Sequence, residues 1–183
     1  MSNKTVKILF LIFIILLFAV SYPLWSNYVS NVFGSAKKPN ISLEKLVSFD
    51  QISFISIKKA EEEIGLSRND NAWKVNDKEA DKEKVNQFIS SLKEVETIET
   101  ASINKENFPE FQVDNDFGYA IKIKFGDKEV NFMVGKPGNQ SNTFYIKFNK
   151  EDKVYLAKGS IYSQLNTAES NWIKEEPKEE DKD

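Results

Sequence analysis

The stretch NAWKVNDKEADKEKV, residues 71–85, places one large aromatic side chain beside a turn and the start of a helix. AWKV has the character of a short strand, and Asn and Asp follow it as turn residues. Asp81 then stands where a helix N-cap is expected. Trp73 could serve as a binding platform or as part of a hydrophobic core. We favour the core, with Trp73 lying over the first turns of the helix.

The segment after Asp81 has one apolar face. Its apolar side chains recur at i, i+3, i+4, i+7 and i+10, which is typical of an amphipathic helix packed on a core. These side chains are Val85, Phe88, Ile89, Leu92 and Val95. We therefore assign structural roles to Trp73 and to the first four of them.

Strand patterns flank this helix on both sides. The strands predicted before it are QISFISIKKA (51–60), EEEIGLSR (61–68) and WKV (73–75), and those after it are YAIKIKF (119–125), KEVNFMV (128–134), TFYIKF (143–148) and KVYLA (153–157). Gly126 and Asp127 predict a type I′ hairpin turn, and SIYSQLNTA (160–168) a last short helix. The order predicts an α+β fold of two antiparallel meander-plus-helix units, βββα and then ββββα. Gly135, Tyr145 and Tyr155 have structural roles in the second unit.

The amino-terminal segment has the composition of a membrane span. Residues 8–20 are 13 unbroken apolar residues. The stretch from Val6 to Trp25 covers about 20 residues, or ~30 Å of helix, which matches a bilayer core. We predict an uncleaved transmembrane anchor (1–25), a linker (26–41), an extracytoplasmic α+β domain (42–173) and an acidic disordered tail (174–183). Lys4 and Lys7 favour a cytoplasmic amino terminus in the cell membrane. A signal peptide cleaved after Ser21 is the alternative.

Composition limits the chemistry of the domain. The 183-residue chain has no His and no Cys, which removes the usual general base, the thiol nucleophile and most zinc ligands. From Glu44 onward, 21 basic residues face 28 acidic ones, a net charge of −7. Nucleic-acid binding depends on clustered Lys and Arg, so it is disfavoured. We expect no enzyme activity, no catalytic residue, no cofactor and no metal site.

Three short motifs resemble functional sites without matching them. DNDFG (114–118) lacks the glycine position and the later Glu of a calcium loop. GKPGNQ (135–140) lacks the spacing of a phosphate-binding loop and joins two strands. Glu61, Glu62 and Glu63 are typical of a solvated strand edge that resists aggregation.

The order of these segments resembles a bacterial family known as domain of unknown function 4340. The resemblance spans about residues 50–173 and rests on AWKV (72–75), ADKEKVNQFISSL (80–92), FQVDND (111–116), VNFMVGK (130–136), FYIKF (144–148) and KVYLA (153–157). The chain departs from the family pattern in one turn, where Gln112 stands at a Gly position and Asp116 at a Pro position. The resemblance implies an envelope protein with one amino-terminal span, found with auxiliary components of gliding-motility-type ABC transport systems. It implies no catalytic residues.

We therefore predict a non-catalytic, single-pass membrane protein. Its extracytoplasmic domain would act as an accessory or scaffold in an envelope or ABC-transporter-associated complex, whose partner and oligomeric state the sequence leaves open. The alternative is a module that binds peptide or polysaccharide through an exposed sheet face or the loop 135–142. A continuous aromatic face left uncovered by the helices would favour the module, and full coverage would favour the scaffold.

Overall fold

The computed structural model describes residues 41–70 and 72–175, which form an α+β domain with one large antiparallel sheet. The strands are β1 (Ile52–Lys59), β2 (Glu62–Asn69), β3 (Ala72–Val75), β4 (Lys78–Glu79), β5 (Glu96–Ser102), β6 (Tyr119–Phe125), β7 (Lys128–Pro137), β8 (Thr143–Phe148) and β9 (Val154–Lys158). The helices are α1 (Leu43–Leu46), α2 (Lys82–Lys93) and α3 (Tyr162–Leu165), with 3₁₀ turns at Phe49–Gln51, Lys105–Asn107 and Glu169–Trp172.

The predicted anchor (1–25) lies outside the described residues, as do the linker up to residue 40 and the tail from residue 176. Within the described ranges, no helix has both the length and the apolar character needed to cross a membrane.

All nine strands belong to one sheet, in the order β4-β3-β2-β1-β6-β7-β8-β9-β5. The two meanders join where β1 pairs with β6, with Ile57 opposite Ile121. The predicted order of βββα and then ββββα is wrong in two places. A short strand, β4, comes between β3 and α2, and a further strand, β5, follows α2 and pairs with β9 at the far edge.

Local backbone geometry accounts for the turn that forms β4 and for the failure to predict β5. Asn76 and Asp77 have φ angles of 43° and 73°, and two consecutive positive φ values are characteristic of a type I′ hairpin. The chain therefore reverses after β3 and forms β4. In β5 the pairing with β9 shifts register twice, between Thr97 and Glu99 and between Thr100 and Ser102. These irregularities remove the simple alternation by which a strand is recognised.

The second meander also differs from the prediction at two turns. Gly126 has φ +51°, but Asp127 is not among the described residues with positive φ, so the predicted type I′ turn is wrong. Strand β7 continues through Pro137. The segment predicted as a loop at 135–142 therefore begins only at Gly138.

Helix α2 forms where its apolar periodicity predicted it. The Asp81 carboxylate accepts hydrogen bonds from the backbone N–H groups of Glu83 (2.9 Å) and Lys84 (3.2 Å), which confirms it as the N-cap. Val85, Phe88 and Leu92 are fully buried, and Ile89 is half-buried against the same cluster.

Helix α2 connects the two edges of the sheet. It follows β4 at one edge and leads to β5 at the other edge. Trp73 on β3 and Ala157 on β9 share one buried cluster with Val85, Phe88 and Leu92 of the helix. The inner face of the sheet therefore packs on α2.

The sheet has an inner face, which packs on the helices, and an outer face. The inner face and the helices share one large buried cluster, which includes Ile55, Ile123 and Phe132. On the outer face lie residues 103–118, which we call the covering segment. Val113 of this segment forms a smaller buried cluster with Met133 and Val154 of the sheet.

The two ends of the described chain protect the two edges of the sheet. At the β5 edge, Ser42 bridges Glu96, and the Leu43 N–H donates to the Val95 carbonyl at 3.0 Å. At the β4 edge, Ala80 bridges Ile173. Backbone groups that would otherwise be free at these edges are therefore paired in part.

Candidate functional site

The helices leave the outer face of the six central strands uncovered, and this face is rich in lysine. Strand register places Glu63 and Glu129 on it, together with six lysines. The six, which we call the lysine face, are Lys58, Lys74, Lys122, Lys124, Lys136 and Lys147. Within the described ranges none of the six forms an ion pair. The surface therefore presents unneutralised positive charge.

Three of these lysines lie over aromatic rings. The Lys124 Nζ atom is 5.7 Å from the ring centroid of Phe54, and the Lys147 Nζ atom is 5.2 Å from that of Phe108. Lys136 lies over two rings of the covering-segment cluster, Phe111 at 5.6 Å and Tyr145 at 5.9 Å. Such contacts hold the ammonium groups in place without neutralising their charge.

Both glutamates of this face are engaged by neutral donors. The Ser56 hydroxyl donates to Glu63 at 2.6 Å, and the Asn131 amide donates to Glu129 at 2.8 Å. At the sheet edges the charges pair instead, as between Lys158 and Glu96 (3.1 Å). The outer face is thus the part of the sheet where cations are most clearly in excess.

The structure places the residues of the first predicted cluster in the inner core. Trp73 is 5% exposed and lies in one buried cluster with Val85, Phe88 and Leu92, with Ile89 packed against it. Strand β3, which carries Trp73, is in contact with α2. Little of the indole ring is therefore available to a ligand.

Gly135, Tyr145 and Tyr155 lie in β7, β8 and β9. Gly135 is buried under the covering segment, and a Cβ atom there would lie 2.1 Å from the carbonyl oxygen of Phe111. Tyr145 is half-buried on the outer face and packs on Phe111, with ring centroids 4.6 Å apart. The sequence analysis assigned all three residues structural roles in the second unit. The sheet places Tyr155 on the inner face, away from Tyr145.

The Tyr155 hydroxyl donates a hydrogen bond to Glu151. Burial raises the pKa of Tyr155 well above its ordinary value, and the hydrogen bond to Glu151 and the charge of that carboxylate act in the same direction. Burial also raises the pKa of Tyr162, with a smaller contribution from Tyr119. Both phenols therefore stay protonated at neutral pH.

The DNDFG motif forms a turn that uses its own first carboxylate. Asp114 accepts hydrogen bonds from the backbone N–H groups of Asp116 (3.2 Å) and Phe117 (3.1 Å). Phe117 itself is 58% exposed. Across the described ranges, no three His, Cys, Asp or Glu side chains are grouped closely enough to hold a metal ion.

A pocket of about 280 Å³ lies beside α2 and the carboxyl-terminal 3₁₀ turn, lined by Lys84, Gln87, Gln164, Thr167, Asn171 and Trp172. Trp172 is buried, and its ring packs edge-to-face on Phe88, with centroids 5.3 Å apart. Its indole N–H has no hydrogen-bond acceptor among the described residues. Of the six lining residues, Trp172 alone belongs to the inner core.

Comparison with protein families agrees with the pattern of segments. Residues 73–183 match the family described as "Domain of unknown function (DUF4340)", and this is more than half of the chain. The chain belongs to the DUF4340 family. The match begins at Trp73, so it does not include residues 50–72, to which the sequence resemblance extended. Neither the curated proteins nor the solved structures gave a significant match.

The turn in which the sequence resemblance predicts a glycine has an unusual backbone. Gln112 has φ +55°, a left-handed conformation in which glycine is preferred. A glycine expected at this position thus has a conformational reason. The Asp116 N–H donates to Asp114, and a proline at position 116 could not make this bond.

The lysine face was not identified from the sequence, although part of its signal is present. In YAIKIKF, Lys122 and Lys124 alternate with Ile121 and Ile123, which places both lysines opposite the core. Their grouping with Lys58 and Lys147 depends on the pairing of distant strands, which local alternation does not reveal.

Proposed function

We propose that this DUF4340 protein is a non-catalytic, single-pass membrane protein whose extracytoplasmic domain is an accessory or scaffold in an envelope or ABC-transporter-associated complex. The apolar run at residues 8–20 supports the anchor, and the basic residues before it support a cytoplasmic amino terminus. The family resemblance supports the association with transport systems.

The observation that carries the proposal is the difference in burial between the two sheet faces. The inner face is filled by the core, whereas the outer face is accessible where the covering segment does not lie on it, as at Lys58, Lys122 and Lys124. At the two ends of the covering segment, Ile103 is 74% exposed and Phe117 is 58% exposed. Apolar side chains displayed beside a broad sheet face suit contact with a protein partner.

The competing function is a module that binds peptide or polysaccharide. It would use a continuous aromatic platform, but the outer face carries lysines, with Phe54, Phe108, Phe111 and Tyr145 half-buried between or beneath them. This arrangement favours the scaffold over an uncharged ligand. The positive charge of the face is instead compatible with an acidic ligand.

Site-specific photo-crosslinking in native membranes tests the scaffold. Benzoylphenylalanine replaces Phe117 with little change of shape, and the same residue at Asn86, exposed on α2, is the matched control. We expect mass spectrometry to identify a transporter subunit crosslinked to position 117 but not to position 86. Recovery of no subunit from either position, in cells that express the transporter, would contradict the proposal.

Membrane fractionation tests the anchor separately. We expect the full-length chain to stay in the membrane after washes with high salt and with alkaline carbonate. Release by salt, or a mature amino terminus after Ser21, would show that no anchor is retained.

A further inference from the structure

We propose that the lysine face binds an acidic polysaccharide, a polymer of sugars that carry carboxylate groups. Among strand residues, the six lysines and two glutamates of this face leave a local excess of four positive charges. At its border, Glu61 and Asp116 line a pocket with Lys58. The chain from residue 44 onward carries a net charge of −7. Positive charge is therefore concentrated on one face of an otherwise acidic domain, which is the arrangement that attracts and orients a polyanion.

The lysines of this face are available to an external anion. Five lysines elsewhere in the described ranges pair with carboxylates, as in Lys105–Asp152 (2.9 Å) and Lys174–Glu79 (2.7 Å). On the outer face the carboxylates of Glu63 and Glu129 accept hydrogen bonds from Ser56 and Asn131 instead. A bound carboxylate would consequently meet ammonium groups without first displacing an ion pair.

The spacing of the lysines fits a linear polymer. Lys122 and Lys124 are two residues apart on β6, a separation of about 7 Å along the strand. Lys147 lies on β8, two strands away, or roughly 10 Å across the sheet. Several charges at such intervals match a chain with repeated acidic groups better than a single small anion.

The aromatic rings favour a sugar polymer over a nucleic acid. Phe54 and Phe108 are half-buried, and each has a lysine over its ring. Because a lysine covers one face of each ring and the rest is half-buried, little open ring face remains for the stacking of bases.

Fluorescence anisotropy with the full-length protein in a neutral detergent tests the proposal. The probe is labelled polygalacturonate, a carboxylated polysaccharide, with neutral dextran and an oligothymidylate of similar length as comparisons. We expect binding of polygalacturonate at low ionic strength that weakens as salt approaches ~0.15 M. Dextran should not bind, and oligothymidylate should bind less tightly.

Two double variants with the same loss of charge localise the site. Lys122→Gln with Lys124→Gln should weaken binding about 2- to 30-fold, as two exposed ion pairs of ordinary strength would. Lys82→Gln with Lys153→Gln removes two exposed lysines outside this face and should leave the affinity unchanged. Lys122→Arg with Lys124→Arg keeps the charge and should retain binding.

Each contrary result counts against the proposal. Equal weakening by both glutamine pairs would show attraction to overall charge, and equal or tighter binding of oligothymidylate would indicate a nucleic-acid surface. Absence of polygalacturonate binding at low salt would also overturn it, provided that circular dichroism shows folded protein. The assay uses purified protein, so its failure is independent of whether the chain joins a transporter.

Discussion

Gly135 lies where strand β7 passes beneath the covering segment, and its replacement by alanine tests that contact directly. The added Cβ atom would be 2.1 Å from the Phe111 carbonyl oxygen and 2.8 Å from Cγ1 of Val113. The carbonyl cannot move freely, because it accepts the Lys136 N–H at 3.0 Å. The covering segment must therefore shift away from the sheet by about 1 Å or more to restore an ordinary contact.

This shift sets the expected size of the effect. Overpacking costs about 1–3 kcal/mol, and a weakened backbone hydrogen bond adds about 0.5–1.5 kcal/mol. The Phe111–Tyr145 ring contact at 4.6 Å would loosen as well. We expect Gly135→Ala to lower the free energy of unfolding by about 2–4 kcal/mol.

Urea unfolding of the full-length protein in detergent, followed by circular dichroism, measures this change. Gly65→Ala is the matched control, because the atoms nearest its Cβ would be side-chain atoms of Asn76 (3.3 Å) and Phe54 (3.4 Å). We expect the control to be neutral or stabilising by up to ~1 kcal/mol, since glycine weakens a strand interior. A Gly135→Ala protein as stable as the wild type would refute the contact, and so would equal destabilisation by both changes.

Three further changes test other parts of the structure. Trp73→Ala should cost about 3–5 kcal/mol of stability by leaving a cavity in the inner core, measured by urea unfolding. Gln112→Gly should leave stability unchanged or raise it by up to ~1 kcal/mol. Glycine removes the strain of the left-handed backbone, but it also makes the unfolded chain more flexible, which offsets part of the gain. The pKa of Tyr155 is raised in the folded protein. Its contribution to stability is therefore complete below pH ~10, the pKa of an unfolded tyrosine, and is lost as pH rises further, because the unfolded chain then ionises while the folded chain does not. Tyr155→Phe should reduce this alkaline loss.

Each of these expectations has a clear contrary result. Unchanged unfolding of Trp73→Ala together with lost partner binding would restore its role as a platform. A Gln112→Gly protein destabilised by more than ~1 kcal/mol would mean that the side chain contributes contacts worth more than the backbone strain. Identical alkaline unfolding of the wild type and Tyr155→Phe would show that another group controls it.

The sequence predicts those parts of the fold that depend on local periodicity. The spacing from Val85 to Leu92 and the cap at Asp81 locate α2, because a helix that packs on a core buries apolar side chains at every turn of one face. Ile121 and Ile123 locate β6 by alternation in the same way. The sequence does not predict β5, since two register shifts interrupt its alternation. The lysine face likewise depends on which strands become neighbours, and this is decided by packing between distant segments.

The pairing of the sheet edges with residues near Ser42 and Ile173 has a consequence for biosynthesis. Synthesis proceeds from the amino terminus, so β1 to β4 leave the ribosome before β6 exists to pair with β1. The β4 edge gains its bridge only when Ile173 has been made. Until then the nascent domain presents open strands that can pair with other chains. We therefore expect chains truncated before Ile173 to depend on chaperones and to aggregate when these are scarce.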